Sequence, residues 1–220
     1  MTNKSKEDYL SIIFKHKDEN EQIKPTLIAE MMNISGAAVT DMLKKLSRDG
    51  DIKYERYKGI NLTKKGEVYA RNIVRRHRIW EVFLHDVVGL PWEKIHDEAH
   101  KLEHSSSDEL IDKLEVILNF PKYDPHGDPI PAKNGVMPKL PKHVPLSHLN
   151  AGDKCYVVRV NDFHTEFLNY ISEIGIKLNK EIIVEEVRAF DKSLKIKINK
   201  FYFDISEKLA EKIFVEIVAS

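Results

Sequence analysis

Seven of the chain's nine prolines fall between Phe120 and Asn150, in FPKYDPHGDPIPAKNGVMPKLPKHVPLSHLN. Proline donates no amide hydrogen and clashes with the preceding helical turn, so neither a long helix nor a central strand can run through that stretch. The run therefore separates a part with helical spacing from a part with strand spacing, and it reads as an extended tether. The expected fold class is α+β, with units at 1–65, 66–132 and 151–220 and a proline-rich linker at 133–150.

The first unit has the periodicity of three short helices. Lys6 to Lys17 carries Leu10, Ile13 and Phe14 at helical spacing, and Pro25 opens a second helix to Met32 with Leu27, Ile28 and Met31 on one side. Asn33-Ile34-Ser35-Gly36 is the connector. Ser35 is a good N-cap for a third helix, Gly36 to Leu46, whose Val39, Leu43 and Leu46 face inward. Beyond Gly50 the period shortens to two: DIKYERYKGINLT alternates around a turn at Lys58-Gly59 and predicts a β-hairpin. Helix, tight turn, helix and hairpin together spell a winged helix-turn-helix, whose second helix enters the major groove of DNA.

Local charge agrees with that expectation. From Ser35 to Lys65 eight basic residues face four acidic ones, whereas the whole chain is neutral with 35 of each sign. Phosphate contacts need such a patch. The expected contact set is Ser35, Ala37, Ala38, Thr40, Asp41 and Lys44 on the helix with Arg56 and Lys58 on the wing. Gly36, Ala37 and Ala38 allow close approach but offer few hydrogen bonds, so Thr40 and Asp41 fall to base reading and Arg56 and Lys58 to phosphates.

The second unit predicts a long helix from Lys64 to about Val88, another from Ile95 to Ser107 and a third from Ser107 to Leu118. Phe83, Leu84, Val87, Val88, Leu110, Leu114 and Ile117 exceed what short helices hide among themselves, which predicts a two-fold dimer interface. Five of ten histidines lie between His77 and His104, interleaved with Glu81, Glu98 and Glu103. On a helix, His96, His100, Glu103 and His104 share one face, and His77 and Glu81 form a separate i, i+4 pair. Imidazole and carboxylate without thiolate suit a divalent ion such as Mn, Fe, Co or Zn.

Other chemistries leave no trace. HDEAHKLEH does not match the His-Glu-x-x-His hydrolase pattern, and there is no G-x-S-x-G, phosphate-binding loop or dinucleotide fingerprint. No catalytic residues and no small-molecule substrate are expected. One cysteine, Cys155, excludes a disulfide framework and points to a reducing cytoplasm. MTNKSKEDYL lacks a signal-peptide core and no apolar run reaches membrane-spanning length, so no membrane partner is expected. After the tether, Asp153 to Val160 places Cys155, Val157 and Val160 inside, Thr165 to Ile174 is a short helix, and IIVEEVRAF, LKIKINKFYFDIS and FVEIVAS are strands of a small β-barrel.

In this order, the winged unit, RRHRIWEVFLHDVVGL, HDEAHKLEHSSSDEL, NFPKYDPHGDPIP and the terminal barrel resemble the diphtheria toxin repressor family of metal-dependent repressors, including its manganese-responsive branch. The resemblance covers nearly the whole chain. It implies a homodimer that binds palindromic double-stranded operator DNA only when divalent metal is bound, two metal sites per subunit, and a barrel of the Src-homology-like, FeoA-like kind. Carried over by position, it implies a primary site of Asp8, His100, Glu103 and His104. It also implies an ancillary site of His77, Glu81 and His96, completed from the barrel by Asp162, His164 or Glu166.

The chain departs from its iron-responsive relatives at two positions. Asp8 stands where they have methionine and His100 where they have cysteine, which hardens the site and favours Mn(II) over Fe(II) or Co(II). The short manganese-responsive members lack the barrel and have a glutamate where this chain has Ser11. An Fe(II)-responsive repressor of iron-uptake genes is the alternative. A metal-dependent enzyme would differ by hydrolytic activity at an open coordination position, and a metal buffer or adaptor by having no DNA affinity at saturating Mn.

Overall fold

The structure, a computed structural model, describes residues 3–16, 23–55, 59–161 and 165–218. The first unit contains helices α1 (Asn3–Lys15), α2 (Pro25–Met32) and α3 (Gly36–Arg48), then the antiparallel pair β1 (Ile52–Glu55) and β2 (Gly59–Leu62). Pro25 stands in the first turn of α2, where its missing N–H costs nothing, and Asn33 ends that helix at φ 51°. Ser35 caps α3 by accepting from the Ala38 amide. Val39, Met42, Leu43 and Leu46 of α3 pack against Leu10, Ile13, Ile28, Ile52 and Ile60 in one apolar core. The expected wing turn at 56–58, with Arg56 and Lys58, lies outside the described residues.

Helix α4 (Lys64–Val82) starts where Thr63 Oγ1 accepts from the Gly66 amide, and it runs into a π-helical turn at Phe83–Val87. Gly66 is there for space: a Cβ would lie 1.9 Å from the Asp51 carbonyl oxygen. Helix α5 (Ile95–Glu103) is one turn shorter than its sequence pattern, and α6 (Asp108–Ile117) follows. The serines between them take other partners. Ser106 Oγ donates to the Leu102 carbonyl and accepts from Trp80 Nε1, while Ser107 caps α6 by accepting from the Leu110 amide. Ile111 and Leu114 of α6 pack on Ile79, Val82 and Ile130, and Leu84 packs with Ile95 and Ala99. Leu84 and Leu114 thus belong to the subunit's own cores and leave the expected dimer set.

The proline-rich run is only partly a tether. Residues 121–132 fold back on themselves: Tyr123 bridges Pro129, and Asp124 Oδ1 accepts from the amides of His126 and Asp128. Three polar side chains, Asp124, His126 and Asp128, are buried. They are held by long-range charges that no local pattern reveals. Arg78 donates Nη1 to the Pro129 carbonyl and places Nε 3.3 Å from Asp124 Oδ2, and Arg159 reaches Asp128 at 3.2 Å. Gly127, at φ 93°, lies so close to the next unit that a Cβ would stand 2.2 Å from the Val158 carbonyl oxygen.

The last unit is a six-stranded antiparallel sheet in the order β3-β8-β4-β5-β6-β7. Its strands are β3 (Val144–Pro145), β4 (Lys154–Val160), β5 (Glu181–Val187), β6 (Leu194–Ile198), β7 (Phe201–Ile205) and β8 (Ile213–Ile217). Helices α7 (Thr165–Glu173) and α8 (Glu207–Ala210) complete it. A register shift between Val157 and Arg159 explains why Cys155, Val157 and Val160 all point inward despite breaking strict alternation. Burial pushes the Cys155 thiol up to about 12, so it offers no thiolate to a metal. Among the described residues the strand pairings run from β3 to β7 without closing, and no helix is long and apolar enough to cross a membrane.

Candidate metal centre and nucleic-acid face

Two helices and one helix end bring the first donor group together. Asp8 projects from α1; His100 and Glu103 stand one turn apart on α5, and His104 is its C-cap residue. One donor atom from each of the four lies within 4.8 Å of the others. His100 Nε2 and His104 Nε2 are 3.1 and 3.0 Å from Asp8 Oδ1, and His104 Nε2 is 3.2 Å from Glu103 Oε1. The buried His104 Nε2 has no hydrogen bond although two carboxylate oxygens surround it. An imidazole nitrogen set among converging carboxylate oxygens is the donor arrangement that a cation site needs.

The second group joins His77 and Glu81 of α4 to His96 of α5. His77 Nε2 is 3.0 Å from Glu81 Oε1 and 3.1 Å from His96 Nδ1. The two groups touch, because Glu103 Oε2 is 2.5 Å from His77 Nδ1 while its other oxygen faces His104. Sequence spacing separates them; packing α4 against α5 puts Glu103 of the first group in contact with His77 of the second. A cleft of about 690 Å³ borders them, with Asp8, His77, His96, His100 and Glu103 on one side and Asn161 and Lys212 of the last unit on the other.

A third group escaped the sequence reading. Glu81, Asp124 and His126, all buried, also place donor atoms within 4.8 Å of one another. His126 stacks on Trp92 with ring centroids 5.2 Å apart, and its Nε2 lies 3.3 Å from the Trp92 carbonyl. The available signal was the PHG string, whose histidine sits in a turn that the proline content disguised as linker. Of the barrel residues expected to complete the second site, Asp162 and His164 lie outside the described residues. Glu166 is exposed in the first turn of α7 and belongs to none of the three groups.

Electrostatics reinforce the clustering. Complete burial pushes the Glu81 carboxyl up, but His77, His96 and His126 together hold it well below the ordinary glutamate range. Glu103 behaves alike: burial raises it, and His77, Lys15 and His100 bring it below the ordinary value. A carboxylate whose folded value is depressed contributes stability above its unfolded value, and that stability fades as pH falls through the folded value. Metal-free protein is therefore expected to lose urea stability as pH drops below 4.5, the ordinary glutamate value. Glu81→Gln should flatten that dependence, and an equally steep acid limb in the variant would refute it.

On the nucleic-acid face, Ala37, Ala38, Asp41 and Lys44 are exposed along α3. Ser35 spends its hydroxyl oxygen on capping, and Thr40 Oγ1 donates to the Gly36 carbonyl at 2.8 Å, so the expected reader Thr40 is partly engaged. Asp41 stands 3.6 Å from Lys44. Arg48, one turn beyond Lys44 and absent from the residues expected from sequence, lines a shallow recess with Asp41, Lys44, Ser47 and Tyr54.

The fold and these donor groups define a class: a winged helix-turn-helix protein with a metal-binding helical unit and a terminal β domain. Family models match in the same order, with the iron dependent repressor N-terminal DNA binding domain over residues 1–60 and its metal binding and dimerisation domain over 63–132. The FeoA domain matches 144–217. The iron-dependent repressor IdeR of Mycobacterium tuberculosis is 33% identical over 190 residues, covering 81% of this chain and 83% of that protein. A manganese-dependent transcriptional repressor in complex with manganese superposes with a TM-score of 0.90 at 31% identity, covering 97% of this chain and 100% of that one. The manganese regulator SloR gives 0.83 at 33%, covering 97% and 98%. The chain belongs to the diphtheria toxin repressor family of metal-dependent regulators.

Proposed function

We propose that this chain is a metal-dependent transcriptional repressor, activated by Mn(II), that binds palindromic operators as a homodimer. One observation carries the reading: Asp8 of the DNA-binding unit converges with His100, Glu103 and His104 of the helical unit on one point. These donors, all oxygen or nitrogen, fit a hard or borderline divalent ion, as do the buried His104 Nε2 and Glu81 Oε2 without hydrogen-bond partners. Such an ion would supply positive charge that lets the Asp8 and Glu103 carboxylates approach. Asp8, His100, Glu103 and His104 would hold it, tying α1 to α5 and restricting where α3 and the wing can sit. The chain's own residues thus convert metal binding into preorganisation for DNA, with an expected coupling of about 5 to 150-fold.

A second ion would use Glu81. His77 with His96, or Asp124 with His126, are its alternative partners, since both sets place donors beside the same carboxylate. Dimerisation would use Val87 and Val88 at the π-helical turn with Leu110, Val116 and Ile117 of α6 and nearby Phe120, all between 43% and 66% exposed. Two-fold pairing would present two copies of α3 to half-sites roughly one helical turn apart. As members of a family of DNA-binding regulators act by binding rather than catalysis, no reaction is assigned.

Phosphate contact by the α3 face has its own test. Lys44→Ala and Arg48→Ala are each expected to weaken binding to all duplexes alike and to lower the salt slope by about one per contact. Fluorescence anisotropy across a salt series measures this, and unchanged slopes would remove these residues from the interface.

Metal choice is tested by Asp8→Met combined with His100→Cys, which restores the two sulfur ligands of the iron-responsive relatives. Selection from random duplex DNA in the presence and absence of Mn(II) would supply the operator, and the double variant is expected to respond to Fe(II) or Co(II) in place of Mn(II). The Mn(II) reading fails if wild-type protein, held anaerobically at matched free metal, is activated by Fe(II) where Mn(II) does nothing.

A further inference from the structure

Glu7, one residue before Asp8, is buried at 4% exposure and contributes to none of the three donor groups. Both of its carboxylate oxygens are nonetheless committed. Oε2 accepts from His104 Nδ1 at 2.5 Å, and Oε1 accepts from the Tyr69 hydroxyl at 3.0 Å. A carboxylate oxygen accepts here, so Nδ1 of His104 carries the hydrogen of that bond, and in the neutral imidazole the lone pair is then on Nε2. That is the nitrogen facing Asp8 Oδ1 at 3.0 Å and Glu103 Oε1 at 3.2 Å.

The same contacts continue toward the DNA-binding face. Tyr69 lies on α4, and Lys6 Nζ stands 4.9 Å from its ring centroid. Lys6 also pairs with Asp51 Oδ2 at 2.5 Å. The fully buried Asp51 follows α3 and precedes β1, and its other oxygen is 3.1 Å from Lys65. Three consecutive α1 residues therefore face three different tasks. Asp8 enters the donor group, Glu7 holds His104 and Tyr69, and Lys6 holds the junction of recognition helix and wing.

We propose that Glu7 is a positioning residue, anchored by Tyr69, that commits His104 to coordinate through Nε2 and ties the imidazole to the α3–wing junction. The inference rests on the reading of Asp8, His100, Glu103 and His104 as a cation site. A carboxylate on the second nitrogen of a metal-binding imidazole fixes its tautomer and orientation and typically contributes about 10 to 100-fold in affinity. The contiguous contacts from His104 through Glu7, Tyr69 and Lys6 to Asp51, two hydrogen bonds followed by a cation–π contact and an ion pair, are the physical means by which a change at the imidazole would reach the junction of α3 and β1.

The test uses full-length protein and Mn(II) alone. Free Mn(II) is followed by electron paramagnetic resonance without DNA, and the ¹⁵N shifts of His104 are read in metal-free protein. Glu7→Leu is expected to weaken Mn(II) binding about 10 to 100-fold and release His104 into a mixture of tautomers, with Glu7→Gln, which keeps an acceptor, recovering part of both. Tyr69→Phe should cost about 2 to 10-fold, the worth of one hydrogen bond. If His104→Ala loses Mn(II) affinity while Glu7→Leu changes neither affinity nor tautomer, the positioning role is overturned and the site stands. If His104→Ala leaves Mn(II) affinity intact, the cation-site reading itself falls. Should Glu7→Leu not fold, Tyr69→Phe decides, and unchanged affinity there overturns the proposal.

Discussion

Glu103→Ala is expected to abolish Mn(II)-activated DNA binding and to weaken Mn(II) binding by at least about 100-fold, near 2.7 kcal/mol. The size of the effect comes from position. Glu103 is 2% exposed, one oxygen contacts His77 at 2.5 Å and the other faces His104 at 3.2 Å, so its loss disturbs two donor groups together. A buried histidine left without its acceptor adds a desolvation cost of about 1 to 3 kcal/mol. His96→Ala should do less, because His96 lies at the half-exposed rim with 28% of its side chain accessible. Calorimetric titration of Mn(II) into each variant, with circular dichroism confirming helix content, measures the difference. Retention of Mn(II) affinity within about threefold in Glu103→Ala would sink the assignment. His77→Ala is expected to fall between the two, since its contact with Glu103 links the groups that spacing alone keeps apart.

Gly66→Ala is expected to destabilise the protein by about 2 to 4 kcal/mol, against the direction of helix propensity. Alanine inside a helix ordinarily gains about 1 kcal/mol over glycine. Here the new methyl would stand 1.9 Å from the Asp51 carbonyl oxygen and 2.8 Å from its carbon, both backbone atoms that no rotamer change can move. Relief requires α4 to shift from the strand junction, breaking the Thr63 amide bond to the Asp51 carbonyl and the Thr63 cap. Gly36→Ala is the control. It opens α3 with nothing within 4 Å of its would-be Cβ, so stability there should hold or rise. Urea midpoints compare the two, and a stabilised Gly66→Ala would show that the close approach is not real.

The sequence by itself determined what depends on near neighbours. Helical spacing, the Ser35 cap and Pro25 located the helices, and the i, i+4 separation of His77 from Glu81 and of His96 from His100 selected the donor faces. Donor chemistry was equally legible, because it depends on residue type: carboxylate at position 8 and imidazole at position 100 exclude sulfur whatever the fold. The end of α5 was less so. Its pattern continues to Ser107, but Trp80, 26 residues away, occupies Ser106, and Ser107 serves the next helix.

Only tertiary structure decided which charges share low-dielectric space. Glu7 meets His104 across 97 residues, and α1 must pack on α4 before that contact exists. Asp124, His126 and Asp128 look like solvated linker residues until Arg78 and Arg159 arrive from 46 and 31 residues away to balance the carboxylates and bury the turn (124 − 78; 159 − 128). The sheet order shows the same dependence, with β8, last in the chain, inserted between β3 and β4. Local periodicity reports which side of an element is apolar; it carries no record of the partner that covers it, and burial of ionised groups depends on that partner's charge.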